Sequence, residues 1–293
     1  MSTRAIVPVK LSLTEGDFYT LWAPKWRQHG SEWQAFLGDD EAVLAFNSPA
    51  ELLCFVESDT KHDLLDHPQW DQFAGRDADR VTPAERDEYD LIGMPEALAG
   101  RPSHRNVSTV ARNLEMASAL ADVAGAEHTT IFFASHSILR NVSRGADHYS
   151  GEQGMSEWSG VGHVIAGNWK KVIEDLDEHV RVVSSDDFDA AKVSDAKERI
   201  SSAAAASAAA AKEAEEKRKA AAEAADPYDN SPWAAAGIDP IKITAQSKSV
   251  YTLRTYLDGK PIFLGKWGEI FTFDSPKTLV RWIMAVSYTH LPL

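Results

Sequence analysis

The chain is poor in the residues on which most recognisable chemistry depends. Its 293 residues include one cysteine, Cys54, so an intrachain disulfide is excluded. Cys54 falls in an apolar helical stripe, where it reads as a small buried hydrophobe. No run approaches the roughly 18 consecutive apolar residues of a spanning helix. The opening Met-Ser-Thr-Arg-Ala-Ile-Val-Pro lacks the apolar centre of a secretory signal. A cytosolic protein without stable membrane insertion is therefore expected. Cations are also scarce: 30 Lys and Arg against 44 Asp and Glu give a net charge of −14. Residues 228–293 hold seven cations and five anions (+2), leaving residues 1–227 with 23 against 39 (−16). That balance argues against a nucleic-acid partner.

Catalytic signatures are missing too. Gly151-Glu152-Gln153-Gly154 and Ser143-Arg144-Gly145 do not match a phosphate-cradling loop, and Ser135-His136-Ser137 lacks the glycine-flanked nucleophile elbow. These segments read as helix-end loops. His104, His128, His148, His163 and His179 share no common spacing. The expectation is a non-enzymatic protein with no catalytic residues, no metal and no cofactor.

What is present is a repeated pattern. Phe36-Leu37-Gly38 is followed ten residues later by Ser48-Pro49, and Phe263-Leu264-Gly265 is followed at the same spacing by Ser275-Pro276. Pro8-Val9-Lys10-Leu11 matches Pro240-Ile241-Lys242-Ile243, and Tyr19-Thr20-Leu21 matches Tyr251-Thr252-Leu253. The copies differ by one five-residue deletion between the Tyr-Thr-Leu and Phe-Leu-Gly blocks. This pattern reads as an internal duplication. Each copy predicts four strands and a helix, with Leu44 and Phe46, or Phe271 and Phe273, on the core face. Ser48, Pro49 and Glu51 form a helix-start signature, weakened in the second copy by Thr278.

The predicted fold is α+β, with two related antiparallel sheet-plus-helix units. The first unit spans 1–58 and is followed by a helical region, 59–185, packed with it. Helical spacing is strongest over Asn106–Val123 and Trp158–Val183. Residues 186–227 form a long linker rich in Ala, Glu and Lys, with no large apolar residue after Ile200 and hence no expected packing face. As a helix it would reach roughly 60 Å. The second, incomplete unit occupies 228–286. The last stretch, 287–293, resembles a non-native tail and is set apart from the fold.

Two groups of side chains invite a functional reading. His62-Asp63-Leu64-Leu65-Asp66-His67 offers i,i+4 pairs for a metal on a helix. Pro68, however, pushes His67 out of helical geometry, which favours a plain turn. Tryptophan is the type in excess, nine in all, with Trp22, Trp26 and Trp33 within twelve positions. They are the candidate client-gripping residues. Trp22 and Trp33 read first as core filling; Trp26, placed in a loop from Lys25 to Glu32, reads as the interaction residue.

Leu21-Trp22-Ala23-Pro24-Lys25-Trp26-Arg27, Glu32-Trp33-Gln34-Ala35-Phe36-Leu37-Gly38 and His62-Asp63-Leu64-Leu65-Asp66-His67-Pro68-Gln69-Trp70 resemble the actinobacterial SatS-type export chaperones. The resemblance covers roughly residues 5–183, with the linker and second copy in a compatible order. It implies an ATP-independent cytosolic chaperone that binds unfolded exported proteins and works with the accessory SecA machinery. It also implies a client surface towards the C-terminal part, which this chain cuts short. Two other classes stay open: a duplicated protein-interaction module, and an enzyme with a dispersed site.

Overall fold

A computed structural model describes residues 6–28, 30–39, 41–58, 60–223, 236–245, 248–257, 259–266 and 269–288. The chain divides into two units, residues 1–209 and 210–293. The linker's end at Asp226-Pro227, His29, and residues 289–293 of the proposed tail lie outside the described residues.

In the first unit, β1 (Val7–Leu13) and β2 (Gly16–Gln28) form a hairpin of seven consecutive pairs, Val7↔Trp22 through Leu13↔Gly16. Val9, Leu11 and Leu13 alternate onto one buried face. β3 (Ser31–Phe36) pairs with β2 on its other side, with an irregularity between Ala23 and Trp26. The expected loop from Lys25 to Glu32 is therefore the far end of a long hairpin, because the chain resumes pairing at Trp26↔Trp33. β4 (Val43–Ala45) leads into a two-way backbone bond between Tyr19 and Phe46, at 2.8 and 2.9 Å.

The helix α1 (Pro49–Val56) starts as its sequence dictates. Ser48 Oγ accepts the Glu51 amide at 3.2 Å, while the Glu51 carboxylate accepts the Asn47 amide at 3.0 Å, one residue upstream of the usual box partner. α2 (Trp70–Ala74) and α3 (Met94–Ala99) are short. α4 (His104–Ala124) opens on a Ser103–Asn106 capping box and closes on left-handed Gly125. α5 (Glu127–Ser135) and α6 (Gly151–His179) complete the first helical layer. Gly151 and Gly154 belong to the first turn of α6, not to a loop.

The stretch expected to be wholly helical contains two strands. β5 (Glu88–Asp90) adds to the edge of β1 in parallel, giving the order β3-β2-β1-β5. β6 (Val180–Val182) pairs in parallel with β4. The sheets are thus mostly antiparallel with two parallel additions.

The main sheet has cores on both sides. Val9, Leu11, Phe18, Trp22 and Phe36 pack with α4 and α6, where Trp158 and Trp169 donate their indole N–H groups to Gly100 O (2.9 Å) and Leu91 O (2.7 Å). Leu21, Ala23, Leu44 and Phe46 pack on the other side with α1 and α2. That second core also takes in α7 (Ala190–Glu223). The expected spacer is a helix that does pack: Ala196 is buried, and Val193, Ile200 and Ala203 lie against the core. Alanine and short aliphatic groups suffice because the helix backbone can approach closely over them.

The second unit contains β7 (Asp239–Ala245), β8 (Lys248–Leu257), β9 (Lys260–Phe263), the short β10 (Gly265–Lys266) and β11 (Glu269–Ile270), and α8 (Pro276–Tyr288). Its hairpin has the same seven-pair register, Asp239↔Arg254 through Ala245↔Lys248. Tyr251 and Phe273 exchange backbone bonds at 2.8 and 2.9 Å, in the motif positions of Tyr19 and Phe46. Phe271 and Phe273 both meet Trp282, at 5.6 and 5.7 Å between ring centroids. Ser275 Oγ accepts the Thr278 amide at 3.3 Å. Ser287 and Tyr288, set apart in the sequence as tail, continue α8.

Candidate functional site

The three candidate tryptophans do not form one surface. Trp22 is 8% exposed and stacks on Phe36 with centroids 6.0 Å apart, so a binding partner could reach it only after local opening. Trp26 is half-buried and meets His67 edge-on at 4.5 Å. Trp33 is 55% exposed, on the rim of the hairpin. The expected exposures of Trp26 and Trp33 are therefore exchanged. The hairpin places the two side by side, and the loop after Asp66 rises to cover Trp26 alone.

Beside the hairpin, Trp22, Pro24, Lys25 and Gln34 line a recess of about 230 Å³ with Glu115 and Asp122 of α4. Gln34 Nε2 donates to Ala119 O at 3.2 Å and so ties β3 to that helix.

The histidine cluster is built for packing. Asp63–Asp66 make one 3₁₀ turn, while His62 and His67 flank it in extended conformations. No helical i,i+4 metal pair forms. His62 is 9% exposed and packs edge-on against Trp70 at 4.4 Å; His67 is 5% exposed. His67 Nδ1 accepts the Gln69 amide at 3.1 Å. His62 Nδ1 and His67 Nε2 are buried with no hydrogen-bond partner among the described residues. Burial pushes both imidazoles below their ordinary pKa. Among the described residues, no group of three or more His, Cys, Asp or Glu side chains gathers as metal ligands.

A groove of about 740 Å³, which no tryptophan lines, lies between α4, α5 and the turns after α5. Leu114, Phe133, Leu139 and Val142 supply its apolar lining, and Arg112 and Arg140 its positive charge. Ile131 of α5 is also exposed. The sequence signal was present in the Ile131-Phe132-Phe133 run. Phe132 is buried while its neighbours are not, which one amphipathic face does not predict.

The second unit holds the other concentration of exposed apolar side chains: Ile243, Tyr256, Leu257, Ile262, Ile270 and Met284. Among the described residues, no helix is long and apolar enough to cross a membrane.

The fold thus defines an α+β protein with a sheet between helical layers, a second sheet-plus-helix unit, and a partly apolar groove between α4 and α5. The chain belongs to the SatS C-terminal domain family, whose model matches residues 6–177 and 238–291. It is also similar to the crystal structure of the SatS C-terminal domain in complex with bromine. Identity is 16% and the TM-score 0.43, covering 61% of this chain and 94% of that one. No curated protein matches the chain.

Proposed function

We propose that the protein is an ATP-independent chaperone of the export pathway, which holds unfolded preproteins in the cytosol through apolar surface. The single observation that carries this reading is membership of the SatS C-terminal domain family across both units. The groove between α4 and α5 and the apolar face of the second unit support it, since a holdase needs accessible apolar area. A net charge of −14 supports solubility while such area is exposed. The repeated hydrogen-bond pattern fits two units derived from one by duplication, and the partners in this reading are exported precursors and the accessory SecA machinery.

The protein acts by binding, without a catalytic centre. The test is suppression of aggregation of an unfolded exported precursor by the purified full chain, without nucleotide. Sub-stoichiometric or nucleotide-dependent protection would contradict a simple holdase. No protection, together with stable binding of one folded partner, would favour the duplicated interaction module.

A further inference from the structure

The groove between α4 and α5 and the recess beside the hairpin run into each other. Glu115 and Ser118 of α4 line both. From Ser108 in the groove to Asp122 in the recess, α4 rises about 21 Å, the span of roughly six residues of extended chain. Ala111, Ser118 and Ala119 keep the helix surface low between those ends. The first unit therefore carries one continuous track along the outer face of α4.

The track is polarised. Arg112 and Arg140 line the groove, Glu115 stands where groove and recess meet, and Asp122 lies in the recess. Glu115 and Asp122 are exposed and have no cationic partner among the described residues. Lys25 also lines the recess, but its Nζ is drawn towards Glu32, at 4.0 Å. The recess holds a second unmet demand. Trp22, 8% exposed, lines it, and the indole N–H is buried without an acceptor among the described residues. Trp158 and Trp169, also buried, each give that N–H to a backbone carbonyl. An orphaned buried donor costs free energy that an incoming acceptor recovers.

We propose that the recess takes a lysine or arginine residue of an exported precursor, with the apolar residues next to it lying in the groove. The basic side chain meets Glu115 and Asp122. On local opening of the recess, the main-chain carbonyl of the same residue accepts the Trp22 N–H. One basic residue of a peptide brings both groups, whereas a metal ion or a polyamine would satisfy the carboxylates and leave the indole unpaired. Arg112 and Arg140 repel a basic residue placed at the groove end, which fixes the direction of the segment. Basic residues beside an apolar run are the composition of secretory signal segments. The precursor as source rests on the chaperone reading; the selection of a basic residue does not.

The probe is a fluorescently labelled, end-blocked peptide, Lys-Ala-Leu-Leu-Ala-Leu, titrated with the full chain by anisotropy beside the same peptide with glutamate for lysine. The lysine peptide should bind about tenfold more tightly. Asp122→Lys together with Glu115→Lys should reverse that preference. Both positions are exposed, and circular dichroism checks the fold. If the double variant is disturbed, Asp122→Asn decides, and it should lose most of the preference. Binding of the lysine peptide should also shift the Trp22 indole N–H resonance. No saturation up to about 1 mM, equal binding of the two peptides, an unmoved Trp22 signal, or displacement by equimolar spermidine overturns the proposal. Precursor protection is measured in parallel. Protection without a lysine preference removes the recess proposal alone, and a lysine preference without protection removes the chaperone reading alone.

Discussion

Trp26 and Trp33 stand directly opposite each other across the β2–β3 hairpin, yet only Trp26 is covered, by His67 with ring centroids 4.5 Å apart. Trp33 remains 55% exposed. Cross-strand neighbours share a face, so the difference comes from the 3₁₀ turn Asp63–Asp66 and the residues after it. Trp26→Ala should therefore cost about 2 kcal/mol or more, as for a partly buried aromatic. Trp33→Ala should change stability by less than about 0.5 kcal/mol. Urea melts of both variants check this, and the reverse order would mean that the turn does not cover Trp26 in solution. Loss of precursor protection in Trp33→Ala alone would place the client on the rim of the hairpin.

The paired histidines set an acid limit on the fold. Their folded pKa values lie below the ordinary 6.5 because burial disfavours the charged form. As pH falls through 6.5, the unfolded chain takes up protons that the folded chain refuses, so stability falls. The loss continues down to the folded pKa values and then levels off. Each histidine contributes a slope of at most ~1.4 kcal/mol per pH unit. His62→Phe keeps a ring packed edge-on against Trp70 and removes one titrating group. It should leave stability at neutral pH nearly unchanged and make the acid slope shallower. An unaltered slope would show that His62 is solvated.

Much of this architecture was legible in the sequence, and the failures share a cause. The β1–β2 hairpin, the Ser48 cap and α4 and α6 each follow from an uninterrupted period of side chains. β5 and β6 are three residues long, too short to show alternation. Glu88-Tyr89-Asp90 becomes a strand only because β1 offers an edge. The groove between α4 and α5 was hidden because its lining comes from separate segments. The packing of α7 does not show in side-chain size, because Ala196 packs by letting the backbone approach.

Gly154 has the least room for a side chain of the glycines in α6. A Cβ there would lie 2.4 Å from the Tyr149 carbonyl carbon, a backbone atom that a rotamer change cannot move. Tyr149 is itself buried and meets Trp158 at 5.0 Å, so the turn is held in place. Gly154→Ala, although favourable for helix propensity, should destabilise by about 1–3 kcal/mol through overpacking. Chemical denaturation measures it, and a stabilised variant would mean that the turn before α6 yields freely.

The packing of α7 can be read from where a protease cuts it. Glu57 accepts both arms of the Arg199 guanidinium, at 2.7 and 2.8 Å, and a 3.0 Å bond from buried Arg80. These contacts hold its carboxyl below the usual range, Arg199 foremost. Further along, Ser207 Oγ donates to Asp79 at 2.8 Å. Docking therefore extends from Val193 to Ser207, and the charged turns beyond it have no buried apolar side chain among those described. Trypsin should cleave at Lys212 and Lys217 first and spare Lys197 and Arg199, although Lys197 is equally exposed, because cleavage needs local opening of the helix. Ala196→Glu would bury a charge in the second core, cost about 2 kcal/mol or more and make the spared sites labile. Glu57→Ala should do the same more mildly, since Arg80 keeps its bonds to the Arg76 and Asp77 carbonyls. Mapping the first fragments by mass spectrometry decides the matter. Equal early cleavage at Lys197 and Lys212 in the unmodified protein would return the whole helix to the role of an unpacked spacer.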